Sequence, residues 1–322
     1  MKEVNCLTAV FYLETEKNLS LDIIEEIGFG ISSKKSLVEK KMNRRNIKEI
    51  IGLAEHHSIL NIGLILFLKE DEKDYPTEFD ERNYLIRFLK LSEFFCQALW
   101  MVKDNSVHYE LGHLFYEANN SLNVHSNMWN SSYSTSIGTV EPTYFNKEEI
   151  VEAINILPAV ISINLLKKPL ENESVRLTSK ISRLSRAFYF LTSARNTDDI
   201  GTKVSIYCSV LESLFSISNS ELRHRLSETV SFFLENEYEN KIKLYKILKL
   251  AYDIRSSVVH GDGLSSKFLK SESKLLLSTA KDVDDIIRRC FRKIISDEFL
   301  YELFTEKDKD EIGLYFQELI FK

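Results

Sequence analysis

The chain is poor in the residues that interrupt secondary structure, with ten glycines and four prolines in 322 residues. A sandwich built on many tight turns needs more of both, so an all-β reading is excluded at the outset. Four cysteines, Cys6, Cys96, Cys208 and Cys290, lie far apart without paired spacing. That fits neither a zinc site nor a disulfide framework, and a reducing cytoplasm is the expected location. Long apolar runs are missing as well. The longest, such as ILPAVISI at 156–163, fall far short of the roughly eighteen residues that a membrane span requires. The N-terminal apolar run has no small-residue cleavage site behind it, so neither a targeting segment nor a membrane partner is expected. Glycine-rich phosphate loops and metal-binding carboxylate clusters are absent, and no cofactor or metal is expected.

What is present suits a helix-rich soluble protein of two domains: 44% hydrophobic and 28% charged residues over a length that can bury two cores. Charge divides unevenly. Up to residue 172 there are 18 basic and 25 acidic residues, and beyond it 24 and 23. Neither half is plainly basic, so any RNA contact must use local patches.

Residues 4–15 read as a strand and 60–68 as a buried strand, with an acidic connection at 70–81. Between them, 34–48 carries seven basic residues and one glutamate, either a phosphate-binding arm or a solvated face. The spacing of Leu85, Phe88, Leu89, Phe95, Leu99 and Val102 predicts an amphipathic helix from Arg82 to Lys103. The Asn- and Ser-rich stretch 108–140 reads as strands joined by turns, and its three histidines, His108, His113 and His125, match no zinc pattern. Asn146 is placed to open a short helix. Pro158, Pro169 and LENESV at 170–175 mark the expected boundary between an α+β domain, 1–172, and an all-α helical bundle, 173–322.

Beyond residue 173 everything reads as helix. Residues 174–195 hold five basic residues and no acid, with Arg176, Lys180 and Arg183 opposite a stripe of Leu177, Leu184, Phe188 and Leu191. Asp198-Asp199 opens a helix to Phe215, and Ser220-Glu221 opens another. Residues 238–260 form a helix stopped by Gly261, 271–296 a long one, and 311–321 a last short one.

The helix 238–260 ends in YDIRSSVVHGDG, 252–263, which sets Arg255 five residues before His260. With seven histidines and fourteen arginines in the chain, about one such spacing arises by chance, so the pair alone is weak. Residues five apart point about 140° from one another on a regular helix. The two would converge only if His260 left helical geometry, or if a second chain completed the site.

The flanking blocks carry more weight. The run AFYFLTSARNTDDIGTKVSIYCSVLESLFSISNSELRHRLSETVSFFL, followed by LAYDIRSSVVHGDG and AKDVDDIIRRCFRKIISD, resembles the ApeA-like branch of the HEPN superfamily over about residues 180–300. The resemblance implies a helical bundle that forms a homodimer, with two Arg/His motifs at one cleft. Many members are metal-independent endoribonucleases of toxin, abortive-infection or anti-phage systems, and others are non-catalytic modules that dimerise and bind RNA or protein. Carried over by position, Arg255 and His260 are the catalytic pair. Where many members have Asn, Asp or His after the arginine, this chain has Ser256, which can donate to a phosphate but is no acid or base near neutral pH. The N-terminal domain resembles no named family; as a sensing domain it would meet an antitoxin or a phage-derived trigger.

The residue types suit RNA cleavage. The 2′-hydroxyl is the nucleophile, imidazole moves protons near neutral pH, and guanidinium grips a phosphate through paired hydrogen bonds. Glu212 is a supporting residue, expected to pair with Arg255 or Arg225. In the competing arrangement Arg255 pairs with Asp253, Asp262 or Glu212 while His260 merely caps its helix. Arg223 and Arg225, Arg183 and Arg186, and the face Arg288–Lys293 are candidates for RNA contact.

Overall fold

The computed structural model describes residues 2–43, 46–69, 80–118, 121–128, 132–165, 177, 181–217, 222–261 and 263–321. The chain forms two compact units, one of residues 1–133 and 140–158, the other of 134–139 and 159–322. The first is α+β and the second is helical. The boundary expected at residue 172 lies outside the described residues. The chain passes between units at Pro158, inside an unbroken helix, although proline there removes one backbone hydrogen bond.

The first unit contains β1 (Lys2–Phe11), β2 (Leu13–Thr15), β3 (Ser20–Ile24) and β4 (Phe29–Ser32), then α1 (Lys35–Met42), α2 (Ile47–Ile51) and α3 (Leu53–Ile62). There follow β5 (Ile65–Lys69), α4 (Glu81–Val102), β6 (His108–Ala118), β7 (Ser121–Met128), β8 (Thr143–Phe145) and, up to Pro158, the first part of α5 (Lys147–Leu165). Six strands make one antiparallel sheet in the order β3-β4-β5-β1-β6-β7, and β2 pairs with β8 in parallel. Leu7 and Ala9 of β1 join Val38, Met42, Ile47 and Ile59 in a core under α1–α3. On the other face α4 covers the sheet, with Phe88 edge-on to Phe29 and the Tyr109 hydroxyl donating to the Leu89 carbonyl at 2.7 Å. Covered on both faces, β1 carries the apolar run VNCLTAVF instead of a polar alternation.

Three expectations need correction here. The strand read over 4–15 breaks at Tyr12, whose φ of 59° turns the chain between β1 and β2. The strand read over 60–68 begins only at Ile65, because Leu60–Ile62 are the last residues of α3, which Gly63 closes at φ 65°. The helix opened by Asn146 is long: Asn146 and Glu149 bond reciprocally at its start (3.0 and 2.8 Å). The basic stretch 34–48 supplies α1 and the start of α2. The connection at 70–79 lies outside the described residues.

The second unit contains α6 (Arg183–Arg195), α7 (Ile200–Phe215), α8 (Leu222–Leu234), α9 (Tyr238–His260), α10 (Ser266–Ser296), α11 (Glu298–Thr305) and α12 (Lys309–Phe321). Asp199 caps α7 by accepting the Thr202 N–H at 2.8 Å, and hydrogen bonds from the Thr202 side chain and then its N–H hold the carboxyl below the usual range. Phe215, Phe233, Phe304 and Phe316 form an aromatic cluster between four helices, and Phe188 packs edge-on to Phe291. The short segment 134–139 belongs to this unit. The buried Lys203 ammonium donates to Ser134 Oγ and the Thr135 carbonyl (2.9 and 2.8 Å), and Ser134 N–H donates to the Arg195 carbonyl. Leu177, expected on the apolar stripe of α6, is exposed and lies before the helix, which starts at Arg183 behind a Ser182 cap. Among the described residues no helix is long and apolar enough to cross a membrane.

Candidate active site

Helix α9 starts at Tyr238 and stops at His260, where Gly261 takes a left-handed φ of 77°. Glycine has no Cβ to oppose that conformation, which is why the helix ends here. Its apolar stripe, Leu244, Leu248, Ala251, Tyr252 and Ile254, is buried. Arg255 and Ser256 lie just past that stripe, Arg255 partly covered and Ser256 exposed.

Arg255 is braced from α7. Its Nη2 donates to Glu212 Oε2 at 3.2 Å, and Tyr252 donates its hydroxyl to Glu212 Oε1 at 3.0 Å. The guanidinium also stands 5.9 Å from the Tyr252 ring centre, a cation–π distance. Burial, with the nearby Cys208 and Glu212, pushes the Tyr252 phenol well above its usual range, so it stays a donor. The Arg255 side chain keeps 30% of its surface and Glu212 19%, so solvent screens the pair only in part. Glu212 is therefore the carboxylate that pairs with Arg255, one of the two arginines expected for it.

Of the other carboxylates weighed for that role, Asp253 is held elsewhere, by Arg223 at 2.6 Å and Lys267 at 3.0 Å. Asp262 lies outside the described residues. Arg223 is thus an exposed cation tied to the motif helix, two residues before Arg255. Arg225 is also exposed, and His224 between them packs edge-on to Tyr245.

His260 is exposed on the last helical residue. The helix runs unbroken from Arg255 to His260. At 100° per residue the two side chains leave the axis about 140° apart. Within one chain the pair diverges, and a composite site needs a second copy.

The remaining basic candidates separate. Arg183 Nη1 donates to the carbonyls of Ser213, Leu214 and Ser216 at 3.5, 3.3 and 2.9 Å, closing the C-terminus of α7. Arg186 lies one turn further along α6 and is half-buried, while Arg176 and Lys180 lie outside the described residues. On the candidate face Arg288–Lys293, Arg288 pairs with Asp284, Arg289 with Glu235, and Lys293 donates to the Phe233 carbonyl at 2.6 Å. The three histidines of 108–140 have local partners. His113 bonds Ser126 Oγ at 2.8 Å and Glu55 Oε1 at 3.2 Å, His108 donates to the Ser106 carbonyl at 3.0 Å, and His125 faces the Tyr116 hydroxyl at 3.4 Å. Among the described residues no group of three or more His, Cys, Asp or Glu could hold a metal ion.

Tyr252 is the participant that sequence reasoning missed. It lies three residues before Arg255 on the same helical face, the spacing at which two side chains share a partner. No protein-family model matches this chain, and no curated protein or solved structure is significantly similar to it.

Proposed function

We propose that this chain is a HEPN-type endoribonuclease of a toxin or anti-phage defence system, acting as a homodimer that joins two Arg255/His260 motifs. The observation that carries this reading is the end of α9: an exposed imidazole on the last turn, and a guanidinium already oriented by Glu212 and Tyr252. Each substrate phosphate would meet an arginine held in place and a histidine free to move a proton. The RNA 2′-hydroxyl attacks the adjacent phosphorus, one imidazole accepts its proton, and the other protonates the departing 5′-oxygen. The products are a 2′,3′-cyclic phosphate and a 5′-hydroxyl, and the chemistry calls for no metal. Ser256, exposed beside the arginine, is a further donor to phosphate. The first unit is the sensing domain, facing an antitoxin or a phage-derived trigger, and the protein works in the cytoplasm.

The test is a labelled RNA incubated with the full chain in EDTA, with both new ends mapped. Cleavage leaving 2′,3′-cyclic phosphate supports the proposal. Loss of activity in EDTA with 5′-phosphate ends points to two-metal chemistry and rejects it. Light scattering of the full chain at micromolar concentration reads the dimer, and a strict monomer that still cleaves would rule out the composite site. One observation favours a second reading, a non-catalytic module that dimerises and binds RNA or protein. Arg255 is already paired with a carboxylate, and Ser256 replaces a residue that often supplies a second acid or base. Binding of RNA without cleavage by the full chain would select it.

A further inference from the structure

The sheet of the first unit has two edges, and they are built differently. At one edge β3 is five residues long, carries an exposed Asp22 and shifts register between Asp22 and Ile24. A short strand, a charge and a bulge are devices that keep an edge from pairing with another chain. At the other edge β7 has none of them. Its eight residues, SLNVHSNM, include no Asp, Glu, Lys, Arg or Pro, and they pair with β6 in unbroken register. Every second residue of such a strand turns its N–H and C=O away from its neighbour. Among the described residues no strand takes those groups up.

Both faces of β7 are anchored, by α2 on one side and α4 on the other. Leu122 and Val124 pack onto the core under α1–α3, and on the opposite face His125 stacks on Tyr116. Ser121, His125, Ser126 and Met128 stay exposed, Met128 at 57%.

The strand's own residues indicate what fits it. The chain carries a net charge of −6, so two copies repel unless they meet on neutral ground, and β7 is neutral. Antiparallel pairing about a two-fold axis at His125 sets Leu122 opposite the copy's Met128, Asn123 opposite its Asn127, and Val124 opposite its Ser126. Apolar meets apolar on the core-side face, amide meets amide on the other, and the exposed Met128 is covered. Moving the axis to Val124 would set Leu122 against Ser126 and lose that match. β7 also offers no charge by which to select a foreign strand.

We propose that β7 pairs antiparallel with the β7 of a second copy, joining two six-stranded sheets into one. This isologous contact belongs to the first unit alone and does not rest on the ribonuclease reading. Together with pairing of the helical bundles it would link dimers into a larger assembly. An eight-residue strand pair is smaller than a standard interface, so the association is reversible and is read at tens of micromolar protein.

The experiment is site-directed cross-linking of the full chain with oxidised glutathione, read on a non-reducing gel. Residues directly opposite one another stand about 4.5–5.5 Å apart at Cβ, close to the span of a disulfide. His125→Cys should yield a covalent dimer, whereas Asn123→Cys, which faces Asn127 of the copy, should yield far less. The four native cysteines are buried and do not compete. In a second arm His125→Lys sets like charges at the axis, and sedimentation velocity should show the mass of the assembly reduced by at least half. That reduction is expected whether or not the bundles pair, and the variant lets the bundle dimer be read by itself. Melting curves confirm that each variant folds. Three results would overturn the proposal: no dimer band from His125→Cys, a band equally strong from Asn123→Cys, or a mass unchanged by His125→Lys.

Discussion

In the sheet unit, His113 lies buried on β6, with Ser126 at one ring nitrogen and Glu55 at the other. In the helical unit, His260 stands exposed on the final turn of α9. The same side chain serves two ends. Five of the seven histidines fall in the first unit, yet the three that tempt a metal reading all have local hydrogen-bond partners. A buried polar group must be satisfied or it costs stability, so partners around His113 are what a folded sheet requires. An exposed imidazole on a well-ordered helix meets no such requirement and is available for chemistry. The contrast teaches that the number of histidines in a region says less about function than whether each is satisfied.

The sharpest way to break this comparison is to remove each ring. His260→Ala should lower RNA cleavage by about two orders of magnitude or more, the usual worth of a general acid or base. Its effect on stability should stay within about 0.5 kcal/mol, as for most exposed positions. His113→Ala should do the reverse, costing roughly 2–3 kcal/mol in chemical denaturation with cleavage retained. A cleavage defect equal in both variants would erase the distinction.

Arginine 255 adds an intermediate case. Arg255→Ala should abolish cleavage, as expected from the sequence, but it also leaves Glu212 without its cation. The added cost is about 1–2 kcal/mol, read as a shift in the denaturation midpoint. A glycine pair sharpens the comparison inside the helical unit. Gly138 and Gly261 both have left-handed φ, at 75° and 77°. A Cβ at Gly138 would run into the Asp198 carbonyl, whereas one at Gly261 meets nothing. Gly138→Ala should therefore cost roughly 2–4 kcal/mol, conformational penalty and clash together. Gly261→Ala should cost only about 1–2 kcal/mol and disturb the His260 turn. The four cysteines are buried, two in each unit, and burial pushes the thiols of Cys208 and Cys290 up. Their labelling during denaturation reports which unit opens in each variant.

The smallest effect concerns pH in the sheet unit. Burial opposes ionisation of Glu149, but bonds from Lys103 Nζ and the Asn146 N–H, with the Lys103 charge, outweigh it and hold its pKa below the usual 4.5. A depressed folded pKa stabilises above the unfolded value, and that stability is lost as pH falls through the folded one. Glu149→Gln should therefore be less stable than the unchanged chain at pH 7, by less than about 1 kcal/mol for so exposed a pair. The difference should vanish in acid; a difference that grows below pH 4.5 would refute this assignment.

Much of the helical half was legible because its signals are local. Asp199 caps α7 and Gly261 ends α9, as their positions in the sequence required. These depend on neighbours within a turn or two, which a sequence displays directly. The sheet unit was less legible. The apolar run at 60–68 conceals a switch from helix to strand, since the half-buried helix end carries leucine and isoleucine just as the strand does. The pairing order β3-β4-β5-β1-β6-β7 joins segments far apart in the chain, and nothing local records it.

By itself, then, the sequence determined the division into a mixed half and a helical half and the span of the motif helix, and it left Glu212 to choose between Arg255 and Arg225. Tertiary structure alone decided that Tyr252 shares that carboxylate, that Asp253 turns to Arg223 and Lys267, and that Arg183 closes α7. It also brought Arg186 and Lys309 to one cleft from helices more than a hundred residues apart in the chain. Caps and periodicity are set by bonds within one element, whereas the partner of a long charged side chain depends on which other element packs beside it.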